Sequence, residues 1–125
     1  MKTVLEEQPG RTRSLREMSE EIKVDRDIVR TVIDLRGDKQ LGMVIEECSE
    51  LIQATSKYQR LAIGDLYLDP EKIRENLVEE IADVYVTLQT ARDLLDISVR
   101  EINGVIQVKQ ARLLKRIEQG LITSQ

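Results

Sequence analysis

Two acidic strings hold the side chains best suited to chemistry: Glu46-Glu47-Cys48-Ser49-Glu50 and Glu79-Glu80-Ile81-Ala82-Asp83. In each, carboxylates recur at i and i+3, which makes them neighbours on one helix surface. Carboxylates gathered in one cleft repel each other unless a cation joins them. Oxygen-only ligands suit a hard ion such as Mg²⁺, which keeps several waters and meets substrate phosphates, with Mn²⁺ as a substitute. The chain has no histidine. That excludes Ser-His-Asp catalysis, Cys-His catalysis and histidine-based zinc sites together. Cys48 is the single cysteine, so an internal disulfide is impossible and a reducing compartment is expected. It faces the apolar side of its helix with no basic partner, which argues against a nucleophilic role.

The two strings belong to a short internal repeat. Val44-Ile45-Glu46-Glu47-Cys48-Ser49-Glu50-Leu51 falls on Leu77-Val78-Glu79-Glu80-Ile81-Ala82-Asp83-Val84, and residue classes match throughout. At about 100° per residue, Glu47 and Glu80 sit about 80° from the centre of their helix's apolar stripe. Glu50 and Asp83 lie further round the same side, while Glu46 and Glu79 fall nearly opposite the stripe, toward solvent. Two facing helices would therefore converge Glu47, Glu50, Glu80 and Asp83 as metal ligands. Glu47 or Glu50 is the candidate catalytic carboxylate that orients a water. A single ExxE is most simply a solvated helix face; the second copy in matching phase is what favours a site.

Cations that could meet phosphates lie elsewhere in the chain. The apolar stripe Ile102, Ile106, Leu113, Ile117 has Lys109 close to its middle, with Arg112 and Arg116 on one side. Lys57 lies two turns beyond Glu50 on the same side, with Arg60 close by. Lys109, Arg112, Arg116 and Lys57 are the candidate phosphate contacts. Snorkelling or salt bridges between subunits are the competing explanations. Tyr58 and Tyr85 are phased with the core, and Tyr67, in a loop, is a candidate for stacking on a base.

The elements that must position these groups are all helical. A short helix is predicted over residues 25–36, with Ile28, Val29, Val32, Ile33 and Leu35 apolar and Gly37 as its stop. Asp38 is the predicted N-cap of a second helix running to Leu61 or Ile63, striped by Leu41, Val44, Ile45, Cys48, Leu51, Ile52, Thr55 and Tyr58. Gly64-Asp65 opens a loop. Asp69-Pro70-Glu71 starts a third helix, with an N-cap, a proline at the first position and an acid in the first turn. Its stripe runs through Ile73, Leu77, Val78, Ile81, Val84, Tyr85, Leu88, Ala91 and Leu95, to about Asp96. Ser98-x-x-Glu101 is a capping box for a fourth helix ending at Gly120.

Bulk properties agree. A length of 125 residues fits one domain, here a polar arm over 1–20 and a helical domain over 21–125. Charged residues make up 34% and aromatics 2%, so the apolar share is aliphatic and favours packed helices over a sandwich. The expected fold is an all-α, four-helix bundle-like protomer, whose thin core favours assembly as a dimer or tetramer. A net charge of −4 gives no overall attraction to nucleic acid or anionic lipid. No apolar run approaches the roughly 20 residues of a membrane span, and the first residues lack a signal-peptide pattern. A cytoplasmic location is expected.

The double motif resembles that of the MazG-type, all-α nucleoside triphosphate pyrophosphohydrolases, in which EExxE is followed by ExxD. Here these are Glu46-Glu47-Cys48-Ser49-Glu50 and Glu80-Ile81-Ala82-Asp83, set in IEECSELIQATSK and NLVEEIADVYVTL. The similarity runs from about Asp38 to Arg116. It implies hydrolysis of an NTP or dNTP to the monophosphate and pyrophosphate, on a four-helix scaffold assembled as a homo-dimer or homo-tetramer. It also implies Glu47, Glu50, Glu80 and Asp83 as Mg²⁺ ligands and basic residues of the last helix as phosphate contacts. The alternative expectation is a non-catalytic, nucleotide-binding helical regulator or adaptor on the same scaffold.

Overall fold

The computed structural model describes residues 21–64 and 68–123. The arm over 1–20 and Tyr67 lie outside these residues. Among the described residues every regular element is a helix: α1 (Arg26–Arg36), one 3₁₀ turn (Gly37–Lys39), α2 (Gln40–Ala62), α3 (Pro70–Leu94) and α4 (Val99–Glu118).

Local chemistry accounts for most of the boundaries. The Asp25 carboxylate accepts from the amides of Asp27 and Ile28 at 2.9 and 3.1 Å, capping α1. Asp69 accepts from the Glu71 amide at 3.0 Å, with Pro70 at the first helical position of α3. At α4 the capping box is complete. Ser98 Oγ accepts from the Glu101 amide at 3.1 Å, and the Ser98 amide donates to Glu101 Oε2 at 2.8 Å. α3 stops at Leu94 because Asp96 turns left-handed (φ 53) and the Ile97 amide closes onto the Arg92 carbonyl at 2.9 Å.

One expected cap is absent. Asp38 lies inside the 3₁₀ turn, and Lys39 precedes α2 without any side-chain cap bond. The chain enters α2 already helical, and the Gln40 amide finds the Gly37 and Asp38 carbonyls. Backbone acceptors take the place of a carboxylate there.

The main packing joins α2 to α3, with α1 laid chiefly against α3. The end of α2 (Tyr58, Leu61, Ala62) and the start of α3 (Pro70, Glu71, Arg74) line one cleft, so the two helices run antiparallel. Among the described residues, Val29, Ala54 and Ile73 are the buried apolar ones, alongside buried Gln40, Thr87 and Thr90. Thr90 is satisfied by the Val86 carbonyl at 2.9 Å.

Both central helices are turned relative to their apolar stripes. Ile45 and Ile52 of α2 are 76% and 68% exposed, and Val78, Ile81, Tyr85 and Leu88 of α3 are exposed as well. The covered face of α2 includes Gln40, Glu47 and Ala54 and that of α3 Ile73, Glu80 and Thr87, each seven residues apart, with stripe residues such as Val44, Leu51, Leu77 and Val84 half-covered beside them. At 100° per residue this is a rotation of roughly a quarter turn away from the stripe. Tyr58 and Tyr85, expected in the core, are exposed on its edge.

The all-helical class holds, but α4 does not close a four-helix bundle within the protomer. It buries none of its residues, and Ile102, Val105, Ile106, Leu113 and Ile117 all stay exposed. Only its first turn, through Val99 and Ile102, lines a cleft with Tyr85, Leu88 and Arg92 of α3. The covered side of α3 is already taken by α1 and α2, so the stripe on α4 has no partner among the described residues.

Candidate metal centre

The quarter-turn offset carries the acidic motifs inward. Glu47 stands in the middle of the covered face of α2, and Glu80 in the middle of that of α3. An antiparallel register that sets Glu47 against Glu80 also brings Ala54 level with Ile73 and Gln40 level with Thr87. All four of those flanking residues are buried. The carboxylates therefore sit between a packed apolar layer and a buried polar one.

The four residues singled out from helical phase are brought together. One oxygen from each of Glu47, Glu50, Glu80 and Asp83 lies within 4.8 Å of the others. Glu47, Glu50 and Glu80 are partly covered and Asp83 is exposed, which leaves the cluster open on one side. Glu46 and Glu79 face solvent, as their phase requires.

The cluster is electrostatically unbalanced. Glu47 Oε2 and Glu80 Oε2 are buried and have no hydrogen-bond partner. An unpaired buried carboxylate oxygen is costly, since water has been removed and nothing replaces it. The Glu47 carboxyl is accordingly held above its ordinary range, first by loss of hydration, then by the charges of Glu50 and Asp83. Glu80 is raised in the same way, by loss of hydration first and by Glu50 next. Every influence acting on these two groups pushes in that direction, and no lysine or arginine offsets it.

A divalent cation fits this donor set. Four carboxylates that each offer one oxygen, two of the residues also carrying a buried unpartnered oxygen, suit a hard ion. The exposed side at Asp83 leaves room for water or a substrate oxygen.

The proposed phosphate contacts are not gathered there. Lys109, Arg112 and Arg116 lie on exposed α4, and Lys57 is exposed on α2. Lys109 lines an apolar groove with Ile97, Ile102, Val105 and Ile106 rather than the carboxylate cluster. None of these four cations is among the groups that shift the Glu47 and Glu80 carboxyls.

No family model matches the chain, and no curated protein or solved structure matches it. The functional reading therefore stands on the residues and their geometry.

Two features escaped sequence reasoning. The buried polar layer of Gln40 and Thr87 was hidden because neither residue belongs to an apolar stripe. The basic cleft formed by Arg26, Arg30 and Arg92 joins separate helices; only the i, i+4 spacing of Arg26 and Arg30 was visible.

Proposed function

We propose that the protein is a Mg²⁺-dependent hydrolase that splits a nucleoside triphosphate, ribo or deoxyribo, into the monophosphate and pyrophosphate. The observation that carries this reading is the pair of buried, unpartnered oxygens, Glu47 Oε2 and Glu80 Oε2, inside a four-carboxylate cluster. The likeness of the two motifs to the MazG-type pyrophosphohydrolases supplies the reaction.

Glu47, Glu50, Glu80 and Asp83 would hold the cation, which when bound supplies charge neutralisation for the substrate's phosphate oxygens. The carboxylates do the rest. Glu47, whose carboxyl is held above the usual range, accepts the proton of a water that attacks the α-phosphorus in line. The new bond forms between that water oxygen and the α-phosphorus. The bond from the α-phosphorus to the bridging oxygen breaks, and pyrophosphate leaves. Glu50, beside Glu47 in the cluster, orients the water.

The assembly we propose is a homo-dimer or homo-tetramer. Two sets of uncovered aliphatic residues support it: Ile45, Ile52, Ile81 and Leu88 on the central helices, and Ile102, Ile106 and Leu113 on α4. A second copy would cover both. We further propose that Lys109, Arg112 and Arg116 of one α4 reach the carboxylates of a neighbouring copy, where phosphates would need them. A reducing, cytoplasmic setting suits the free Cys48.

The test is a panel of NTPs and dNTPs with Mg²⁺, assayed for pyrophosphate and nucleoside monophosphate. Both products from any member, lost with Glu50→Gln or Asp83→Asn, support the enzyme. Saturable nucleotide binding without product makes the protein a regulator on the same scaffold.

A further inference from the structure

A second charged site lies away from the acidic cluster. Arg26 and Arg30 of α1, Arg92 of α3, and Ser98 and Val99 at the start of α4 line a cleft of about 370 Å³. Arg26 and Arg30 are one turn apart on one face of α1. Arg92 is nine residues beyond Asp83, about 13 Å along α3 at 1.5 Å per residue. The chain carries a net charge of −4, yet three guanidinium groups are gathered here.

Three guanidinium groups face two carboxylates here, which leaves one positive charge in excess. Asp93 and Asp96 also line the cleft. Asp93 works through one oxygen, Oδ1, which takes Gln89 Nε2 at 3.1 Å, Arg92 at 3.4 Å and Arg26 at 3.8 Å. That oxygen is saturated. Arg92 is only 15% exposed along its side chain, and its Nε is buried with no acceptor. Asp93 already meets the Arg92 Nη2, so what remains is one buried N–H, costly unless an acceptor reaches it. The α4 N-terminus opens on the same cleft. Its cap covers the Glu101 amide, whereas the first amides of a helix have no partner within it.

We propose that this cleft is an oxoanion site, with inorganic phosphate as its simplest ligand. Arg92 supplies the buried donor, and Arg26 and Arg30 close over the ligand from α1. Guanidinium forks bind tetrahedral oxoanions through paired, charge-assisted hydrogen bonds. The site is independent of the cation centre and does not rest on the proposed reaction.

Thermal unfolding and calorimetry with inorganic phosphate, in EDTA to remove divalent ions, provide the test. Phosphate should raise the melting temperature saturably above a chloride control of equal ionic strength. Arg26→Gln/Arg30→Gln should weaken phosphate binding about tenfold or more while leaving the phosphate-free melting temperature close to wild type, since both side chains are exposed. Asp83→Asn should keep the phosphate response. No saturable effect, or one that survives the double substitution, overturns the proposal. So does a response abolished by Asp83→Asn, which would assign the phosphate to the acidic cluster.

Discussion

Glu47 and Glu80 face each other across the α2–α3 interface, each with a buried Oε2 that no donor meets. Both carboxyls are raised, chiefly by loss of hydration and then by neighbouring carboxylates. An apolar pair of similar size would pack here without that electrostatic cost. A cation bound among the four carboxylates would offset that cost.

The metal response should depend on pH. With native carboxyls raised above 4.5, the folded state binds these protons more tightly than the unfolded state. Their effect on the metal-free fold is therefore most favourable at low pH. Stability is lost as pH rises from about 4.5 through the raised native values. Mg²⁺ must displace those protons, so its gain in melting temperature should be larger at pH 8 than at pH 5. Differential scanning fluorimetry across that range reads it directly. An equal gain at both pH values would place Mg²⁺ elsewhere.

Removing a ligand should separate activity from stability. Glu50→Gln and Asp83→Asn are each expected to lower turnover about 10²-fold or more. The metal-free melting temperature should hold or rise, because one repelling charge is gone. Glu46→Gln, on the solvent side, should leave turnover within about twofold by the same argument. Pyrophosphate release and a melt on each variant give both numbers.

Assembly should depend on the stripe of α4. Ile106→Glu places a charge among Ile102, Val105 and Leu113, all exposed in the protomer. Light scattering should show the wild type as a dimer or tetramer and the variant as a smaller species. A wild-type monomer at micromolar concentration would remove the assembly proposal. Loss of activity along with assembly would support delivery of Lys109, Arg112 and Arg116 from a neighbouring copy.

The start of α4 rests on its capping box. Ser98→Ala should cost about 1 kcal/mol, read as lower helicity and a lower melting temperature. The Glu101 carboxyl is held below its usual value by the Ser98 backbone amide first and by the Ser98 side chain next. A lowered native value means the contribution is fully present above about 4.5 and is lost as pH falls through the native value. The difference between wild type and Ser98→Ala should therefore shrink in acid.

How far the sequence could be read differs from element to element. Asp69-Pro70 and Ser98-x-x-Glu101 marked helix starts correctly because capping is local, spanning at most four residues. Asp38 misled because a cap is unnecessary where the preceding backbone is already helical. The four converging carboxylates were legible because a helix repeats its geometry, so two copies of one motif on paired helices point alike. Placing Tyr58 and Tyr85 in the core failed for a different reason: the apolar stripe does not say which part of itself the protomer covers.

By itself, then, the sequence determined the helical class, two of the helix starts and the identity of the four acidic residues, all consequences of short-range periodicity. Tertiary structure decided the quarter-turn rotation that seats Glu47 and Glu80 mid-interface, the isolation of α4, and the meeting of Arg26, Arg30 and Arg92. Those depend on which faces of distant segments pack together, and no local spacing carries that information.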